Sequence, residues 1–385
     1  MDDLWLGDFR HDSPHSRTLL TSESGAAIRQ EMAEAGLSRA MIVCSPREAH
    51  SELARRIAAS LGDFRAGTFD EARSHPTLAV AERGAALAQN IDVDCLIAIG
   101  GGGASDQAKG IALWLAEAGN LRPISSSNTG RRPPFTATNL ATALPIIAVP
   151  TTASGAELTP GFGQKDGNGH KLLFRDARLF ARLIVLDPDA IAATPLDILV
   201  PTCMNAIAHC VEALYSLGRD PVSRTFAIEG FGALLEGLRQ LEDQRSDAAH
   251  RNILIGSNLA GRAIINARTG LHHGICHVLG GAGVSHGIAN AIMLPHVIRF
   301  NAEAAGDRLA PLGEMLGATT LDGLAGALSD IRAKFGVVGR LRDAGIGGGQ
   351  VPSLASRVVL EPGMRFNPRQ DVTLADIDGL LREAL

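Results

Sequence analysis

Ile97-Ala98-Ile99-Gly100-Gly101-Gly102-Gly103-Ala104-Ser105-Asp106-Gln107-Ala108-Lys109 passes from an apolar run through four glycines into a helix-forming segment. Such a strand–turn–helix unit leaves bare backbone N–H groups at the positive end of a helix, where a pyrophosphate can sit. Glycine suits the turn because a Cβ would hold the phosphate off. The same residues also serve as a plain tight turn, and the G-x-G-x-x-G pattern followed by an acid about 20 residues on is not cleanly present.

Outward from this turn the pattern repeats. Short apolar runs at Ala40–Cys44, Cys95–Ile99, Pro145–Val149 and Leu183–Leu186 alternate with amphipathic stretches at Arg47–Leu61 and Thr77–Asn90. That alternation predicts βαβ units and a parallel sheet. Val149-Pro150-Thr151-Thr152-Ala153-Ser154-Gly155-Ala156-Glu157 follows the next strand, so its hydroxyls are expected near the same crevice, although Thr-Thr after a strand also serves as a local cap. Leu158–Phe174 contains Asp166-Gly167-Asn168-Gly169 and predicts a β-hairpin, whereas the Pro-rich, polar 120–138 predicts a surface loop. Beyond Asp187-Pro188 the pattern turns helical, with helices expected at Ala206–Leu217, Ser223–Leu241, Ala249–Ala267, His286–Ala304, Leu321–Phe335 and Leu374–Leu385. The expectation is a Rossmann-like α/β domain over 1–190 and an all-helical domain over 191–385.

Composition narrows the class. The chain has 385 residues, and 36 Lys+Arg against 41 Asp+Glu leave no basic excess for binding nucleic acid by counterion release. No apolar run approaches the roughly 18–20 residues of a membrane span, the best, Leu140–Val149, being interrupted by Pro145. The first twenty residues lack the layout of a secretion signal, and five cysteines in apolar settings read as reduced thiols. A cytoplasmic enzyme with no nucleic-acid or membrane partner is expected.

The helical half carries its own chemistry. Asn205 and His209 are four apart, as are His273 and His277, and His286 follows nine residues later. Residues four apart share a helix face, so these groups can build a divalent-metal site. Each also reads as a hydrogen-bonded core imidazole. Asn205 offers a neutral amide oxygen, a poorer donor to a cation than an aspartate.

Taken together, GGGGASDQAKG, PTTASGAE, NAIAHCVEALY, GLHHGICHVLGG and SHGIANAIMLPHVIRFN resemble, in order, the motifs of the iron-containing alcohol dehydrogenase superfamily. NAIAHCVEALYS, PTTASGAELTP and the closing FNPR look most like its maleylacetate reductases, which reduce a carbon–carbon double bond with NADH or NADPH in aromatic-compound degradation. The resemblance covers about Arg39 to the C-terminus. It implies a dinucleotide in a cleft of the α/β domain facing the helical domain, and a homodimer. It places Gly101, Gly102, Gly103 and Asp106 on the pyrophosphate side, Thr151 and Thr152 along the dinucleotide, and Lys171 near it as a weaker match. Asn205, His209, His273 and His286 take the four metal positions, for Fe2+ or Zn2+ if a metal is bound, and His277 the place beside the nicotinamide. Asn at the first metal position resembles the reductases, which are thought to work without metal.

Departures are specific. Gly103 replaces a usual Ser, the 120–140 loop is longer, the His277–His286 spacing is one residue shorter, and LLTSESGAAI replaces a glycine-containing motif near the N-terminus. Ser45 stands near where many relatives carry a cofactor-selecting Asp, which leaves NADH versus NADPH open. The implied chemistry is hydride transfer to a small oxo acid such as maleylacetate, giving 3-oxoadipate, with His273, His277 and His209 in the site. Arg262, Arg268 or Lys171 are candidates for the substrate carboxylates. The alternatives are a metal-dependent alcohol or aldehyde dehydrogenase and a dehydroquinate-synthase-like lyase or cyclase.

Overall fold

The computed structural model describes residues 8–13, 16–73, 76–125, 142–168 and 171–385. It divides the chain into two compact units, Pro14–Ala193, and Thr194–Leu385 together with Met1–Ser13. The first contains strands β1 (Arg17–Leu20), β2 (Ala40–Val43), β3 (Arg65–Phe69), β4 (Cys95–Gly100), β5 (Ile146–Pro150), β6 (Gly161–Lys165), β7 (Lys171–Arg175) and β8 (Leu183–Leu186). Six of them form one parallel sheet in the order β1-β8-β5-β4-β2-β3, and β6 pairs antiparallel with β7. The expected hairpin is therefore present. Most of the 120–138 stretch, from residue 126, lies outside the described residues, as do residues 1–7.

Helices α1 (Ser24–Glu34), α2 (Pro46–Ala49), α3 (Glu52–Leu61), α4 (Leu78–Asn90) and α5 (Gly102–Ala116) connect these strands, and α6 (Pro188–Ala192) follows β8. Side chains from the two sheet faces enter two separate cores. Ala40, Ile42, Ile97 and Val149 pack with Ile28 and Met32 of α1 and Ile57 of α3. Met41, Val43, Leu96 and Ala98 pack with Ala85 of α4 and Ala108 and Ile111 of α5. A strand buried on both faces reads as an unbroken apolar run, which is why β2, β4, β5 and β8 stand out in the sequence. The edge strands do not. β1 alternates exposed and half-buried residues, and β3 is buried only at Phe69, so neither presents such a run.

The strand order reverses between β2 and β4. The chain steps from β2 out to the edge strand β3, returns past β2 to β4, and then proceeds through β5 to β8. The crevice beyond the carboxyl ends of β2 and β4 is thus the topological switch point, where open α/β sheets bind ligands.

The second unit is helical: α7 (Leu196–Tyr215), α8 (Pro221–Asp243), α9 (Asp247–Ala267), α10 (Leu271–Gly281), α11 (His286–Phe300), α12 (Ala302–Ala305), α13 (Ala310–Met315), α14 (Leu321–Lys334), α15 (Val351–Val358) and α16 (Leu374–Glu383). Residues of α10, α11, α15 and α16 form its largest described core cluster, including Leu271, Ile275, Ile292, Leu354 and Leu381. Its N-terminal segment is tied down through His11, whose Nδ1 is 3.0 Å from Asp220 Oδ2.

Two expectations need correction here. Helix α7 starts ten residues before Ala206 and runs through Pro201. The proline forfeits one backbone hydrogen bond, but it is buried and packs where a Cβ on Gly287 would come within 2.8 Å of it. Counted through Pro201, α7 reaches 20 residues and is apolar enough, by length and composition, to cross a membrane. Its apolar window is 89% buried inside the protein, the position of a core helix.

Candidate active site

The α/β unit carries a candidate cofactor site around the glycine turn. Gly100 ends β4 with φ +146°, a conformation L side chains rarely adopt, and Gly101 is the N-cap of α5 without any side-chain cap bond. The N–H groups of Ala104 and Ser105 turn back to the Gly101 carbonyl, while those of Gly102 and Gly103 have no partner within the helix. A Cβ on Gly101 would lie 3.0 Å from Thr152 Oγ1, and one on Gly102 3.4 Å from the Ala156 Cβ. Thr152 Oγ1 is itself buried and without a hydrogen bond among the described residues. A bare turn at a helix N-terminus facing an orphaned hydroxyl fits a phosphate, so the residues present suit a nicotinamide dinucleotide.

Lys109 fastens the two sides of this turn. Its ammonium is fully buried, and Nζ donates to the carbonyls of Ala156 (2.7 Å) and Gly161 (3.3 Å), which holds the Thr151–Gly161 loop against α5. Asp106 Oδ1 lies 3.6 Å from the same ammonium. Gly101, Gly102, Gly103, Asp106, Thr151 and Thr152 thus lie together around the turn. Lys171 opens β7, but its side chain lies outside the described residues.

The helical unit carries a cluster of its own. Asn205, His209 and Glu212 line one face of α7. Helix α10 presents His272, His273 and His277, and His286 begins α11. His209 and His273 stack with ring centroids 4.7 Å apart, and His286 lies 5.7 Å from His273 and 5.8 Å from His277. The one-residue shortening before His286 has not removed it from the cluster.

His273 is held at both nitrogens. Nδ1 is 2.6 Å from Glu212 Oε2, and Nε2 is 3.2 Å from Asn205 Oδ1. Glu212 is completely buried, and its other oxygen accepts the backbone N–H groups of Gly270 (3.0 Å) and His272 (3.1 Å). Those donors favour the carboxylate form, so the short contact is Nδ1–H donated to Glu212. Burial, reinforced by neighbouring imidazoles, pulls His209 and His273 well below the usual histidine range. Burial pushes the Glu212 carboxyl in the opposite direction, upward. At neutral pH His209 and His273 are thus neutral imidazoles backed by one buried carboxylate.

His277 differs, being 41% exposed, with Nδ1 3.2 Å from Glu361 Oε2. Gly274 makes room for that acid, since a Cβ there would come within 3.3 Å of the Glu361 Cβ. His272 sits deeper, its Nε2 2.8 Å from Asn290 Oδ1. Arg262, half-buried on α9, donates from Nε to Asn258 at 2.9 Å, and Arg268 caps that helix with φ +69°.

Glu212, Glu361 and Asn290 are site residues that motif spacing does not single out. Glu212 had a usable signal, since it follows His209 by three and so shares its helix face. Glu361 lies 84 residues from its histidine and had none.

The donor set does not fit a resident divalent ion. Its first member is a neutral amide, the Nε2 of His273 is engaged by that amide, and no three His, Cys, Asp or Glu side chains among the described residues are grouped to hold a metal. No chemical step is therefore routed through one.

Comparison with known proteins identifies relatives along the whole chain. Residues 16–188 match the family model described as iron-containing alcohol dehydrogenase, and residues 199–385 match that of the Fe-containing alcohol dehydrogenase family, C-terminal. Maleylacetate reductase 2 of Cupriavidus pinatubonensis is 33% identical over 314 residues, 81% of this chain and 79% of that protein. The maleylacetate reductase of Rhizobium sp. strain MTP-10005 is 29% identical over 357 residues, 92% of each. The crystal structure of maleylacetate reductase from Agrobacterium tumefaciens superposes with a TM-score of 0.83 at 28% identity over 98% of both chains.

Proposed function

Because the chain belongs to the iron-containing alcohol dehydrogenase family, and is thus an oxidoreductase, we propose that it reduces a small unsaturated oxo dicarboxylic acid such as maleylacetate to the saturated oxo acid, here 3-oxoadipate. The observation that carries the proposal is the Glu212–His273–Asn205 arrangement: a buried carboxylate and an amide occupy the two nitrogens of an imidazole that a metal-dependent enzyme would commit to its cation.

When bound, the reduced nicotinamide supplies a hydride. The turn at Gly101–Gly103 and the hydroxyls of Thr151 and Thr152 hold the dinucleotide by its phosphates. In maleylacetate the acceptor is the alkene carbon β to the oxo group, and the electron pair moves through the alkene onto the oxo oxygen. His209, whose buried Nδ1 has no hydrogen-bond partner among the described residues, stabilises that oxygen as an N–H donor in a water-poor setting, where such bonds are strong, and the stacked His273, fixed by Glu212, holds it in place. His277, the exposed imidazole, delivers the proton to the carbon α to the oxo group and is reprotonated from solvent. Glu361 sits on its Nδ1 and leaves Nε2 to carry that proton. One hydride and one proton are added, the cofactor is oxidised, and the C=C bond becomes single. The oxo acid is the small-molecule partner. A cytoplasmic homodimer completes the proposal and is open to sedimentation analysis.

Deuterium placement tests the reaction class. Reduction with 4-deuterated cofactor in ordinary water should put deuterium on the carbon next to the distal carboxylate and leave the ketone intact. Deuterium on a carbinol carbon would make the protein a carbonyl reductase and overturn the proposal.

A further inference from the structure

The crevice at the switch point holds an acid that no motif contains. β2 leads through Cys44 into Ser45, whose side chain caps α2 by accepting the Glu48 N–H at 3.2 Å. The Ser45 hydroxyl is thus spent on the backbone. Glu48 lies on α2 with its side chain only 16% exposed, and its Cγ is 4.0 Å from where a Cβ on Gly100 would stand. It therefore reaches from the end of β2 to the first glycine of the turn after β4.

The Glu48 carboxylate is poorly satisfied by the protein. It makes no hydrogen bond among the described residues, and the nearest guanidinium, on the exposed Arg47, is 3.9 Å away at Nε, beyond hydrogen-bond reach. Burial pushes its carboxyl pKa upward. Glu71, by contrast, is bound by Arg83, with Nε 3.1 Å from Oε2. A half-buried carboxylate without donors costs free energy unless a ligand brings them. A second acid stands close by: Asp70 lies between Phe69 and Ala72, both of which bond to the backbone of Cys44, at 3.0 Å each.

We infer that Glu48 is the cofactor-selecting residue, accepting hydrogen bonds from the adenosine ribose hydroxyls at the switch point and, with Asp70, repelling a 2′-phosphate, so that the enzyme uses NADH. This rests on the dinucleotide site described above and gives this chain an acid three residues beyond the position vacated by Ser45. A 2′-phosphate there would meet the Glu48 carboxylate at short range, where the one guanidinium within 4 Å among the described residues is that of the exposed Arg47.

Fluorescence titration of the folded protein with NADH and NADPH tests the inference without turnover. NADH should bind at least about tenfold tighter than NADPH, since a charge-assisted hydrogen bond is worth about a factor of ten or more. Glu48→Gln should cut that ratio about tenfold, and Asp70→Asn should lower it by a smaller factor while leaving NADH affinity in place. NADPH binding as tightly as NADH, or an unchanged ratio in Glu48→Gln, would overturn the inference while the dinucleotide site survives. Binding of neither cofactor would overturn both.

Discussion

His273 gains its chemistry from what holds it. A neutral imidazole with one nitrogen fixed on a buried carboxylate has a defined tautomer and a fixed ring plane, against which His209 stacks at 4.7 Å. Glu212→Gln keeps the shape and one acceptor oxygen but can present an N–H to His273 Nδ1, which moves the ring proton to the other nitrogen. The expected result is a fall in kcat of about 10–100-fold with cofactor affinity unchanged, read by steady-state kinetics beside equilibrium titration of the cofactor. A variant with wild-type kcat would remove Glu212 from the mechanism. At this scale the sequence is informative where chemistry recurs at helical spacing: Asn205 and His209, His273 and His277. It is silent on Glu361, because only the folded path of the segment after α15 brings that acid to His277. It is ambiguous on Asn205, since an amide serves a cation or an imidazole; in the fold its Oδ1 stands 3.2 Å from His273 Nε2.

The elements explain why the phosphate turn is rigid. Lys109 reaches back along α5, as helical side chains do, and pins the loop that carries Thr151 and Thr152. Within that loop Glu157 is fully buried near Lys109, and burial raises its carboxyl pKa to about 7. A carboxyl whose folded pKa is raised holds its proton in the folded state after the unfolded chain has lost it. The stability this contributes is complete below the unfolded value of about 4.5 and is lost as pH rises through about 7. Glu157→Gln removes that loss. Its stability relative to the parent should therefore rise between pH 5 and pH 8 by about 1–3 kcal/mol, read from melting curves across that range. An identical pH dependence in the two proteins would show that Glu157 titrates normally. The central strands β2, β4, β5 and β8 are legible because burial on both faces writes a continuous apolar run. The edge strands β1 and β3 are not, because one side of each meets solvent and their residues are mixed. Helix α7 is half legible. Proline 201 marks a boundary in the sequence that packing overrides in the fold.

On the scale of the molecule, each of the two units, taken by itself, holds groups that the proposed reduction uses. The α/β unit offers a glycine turn, an orphaned threonine hydroxyl and the acid Glu48. The helical unit offers five imidazoles and the carboxylates that orient two of them. That division is visible in the sequence as a change from alternating strands and helices to helices alone, and the motifs fall on either side of it. The central claim is that the histidine cluster works as acid and hydrogen-bond donor, with no cation in the step. The measurement that tests it is NADH oxidation with maleylacetate as acceptor, by chelator-treated protein whose metal content has been assayed. Turnover at full rate with metal far below one equivalent per chain is the predicted result. Activity that appears only when Fe2+ or Zn2+ is restored, in proportion to the metal bound, would contradict it.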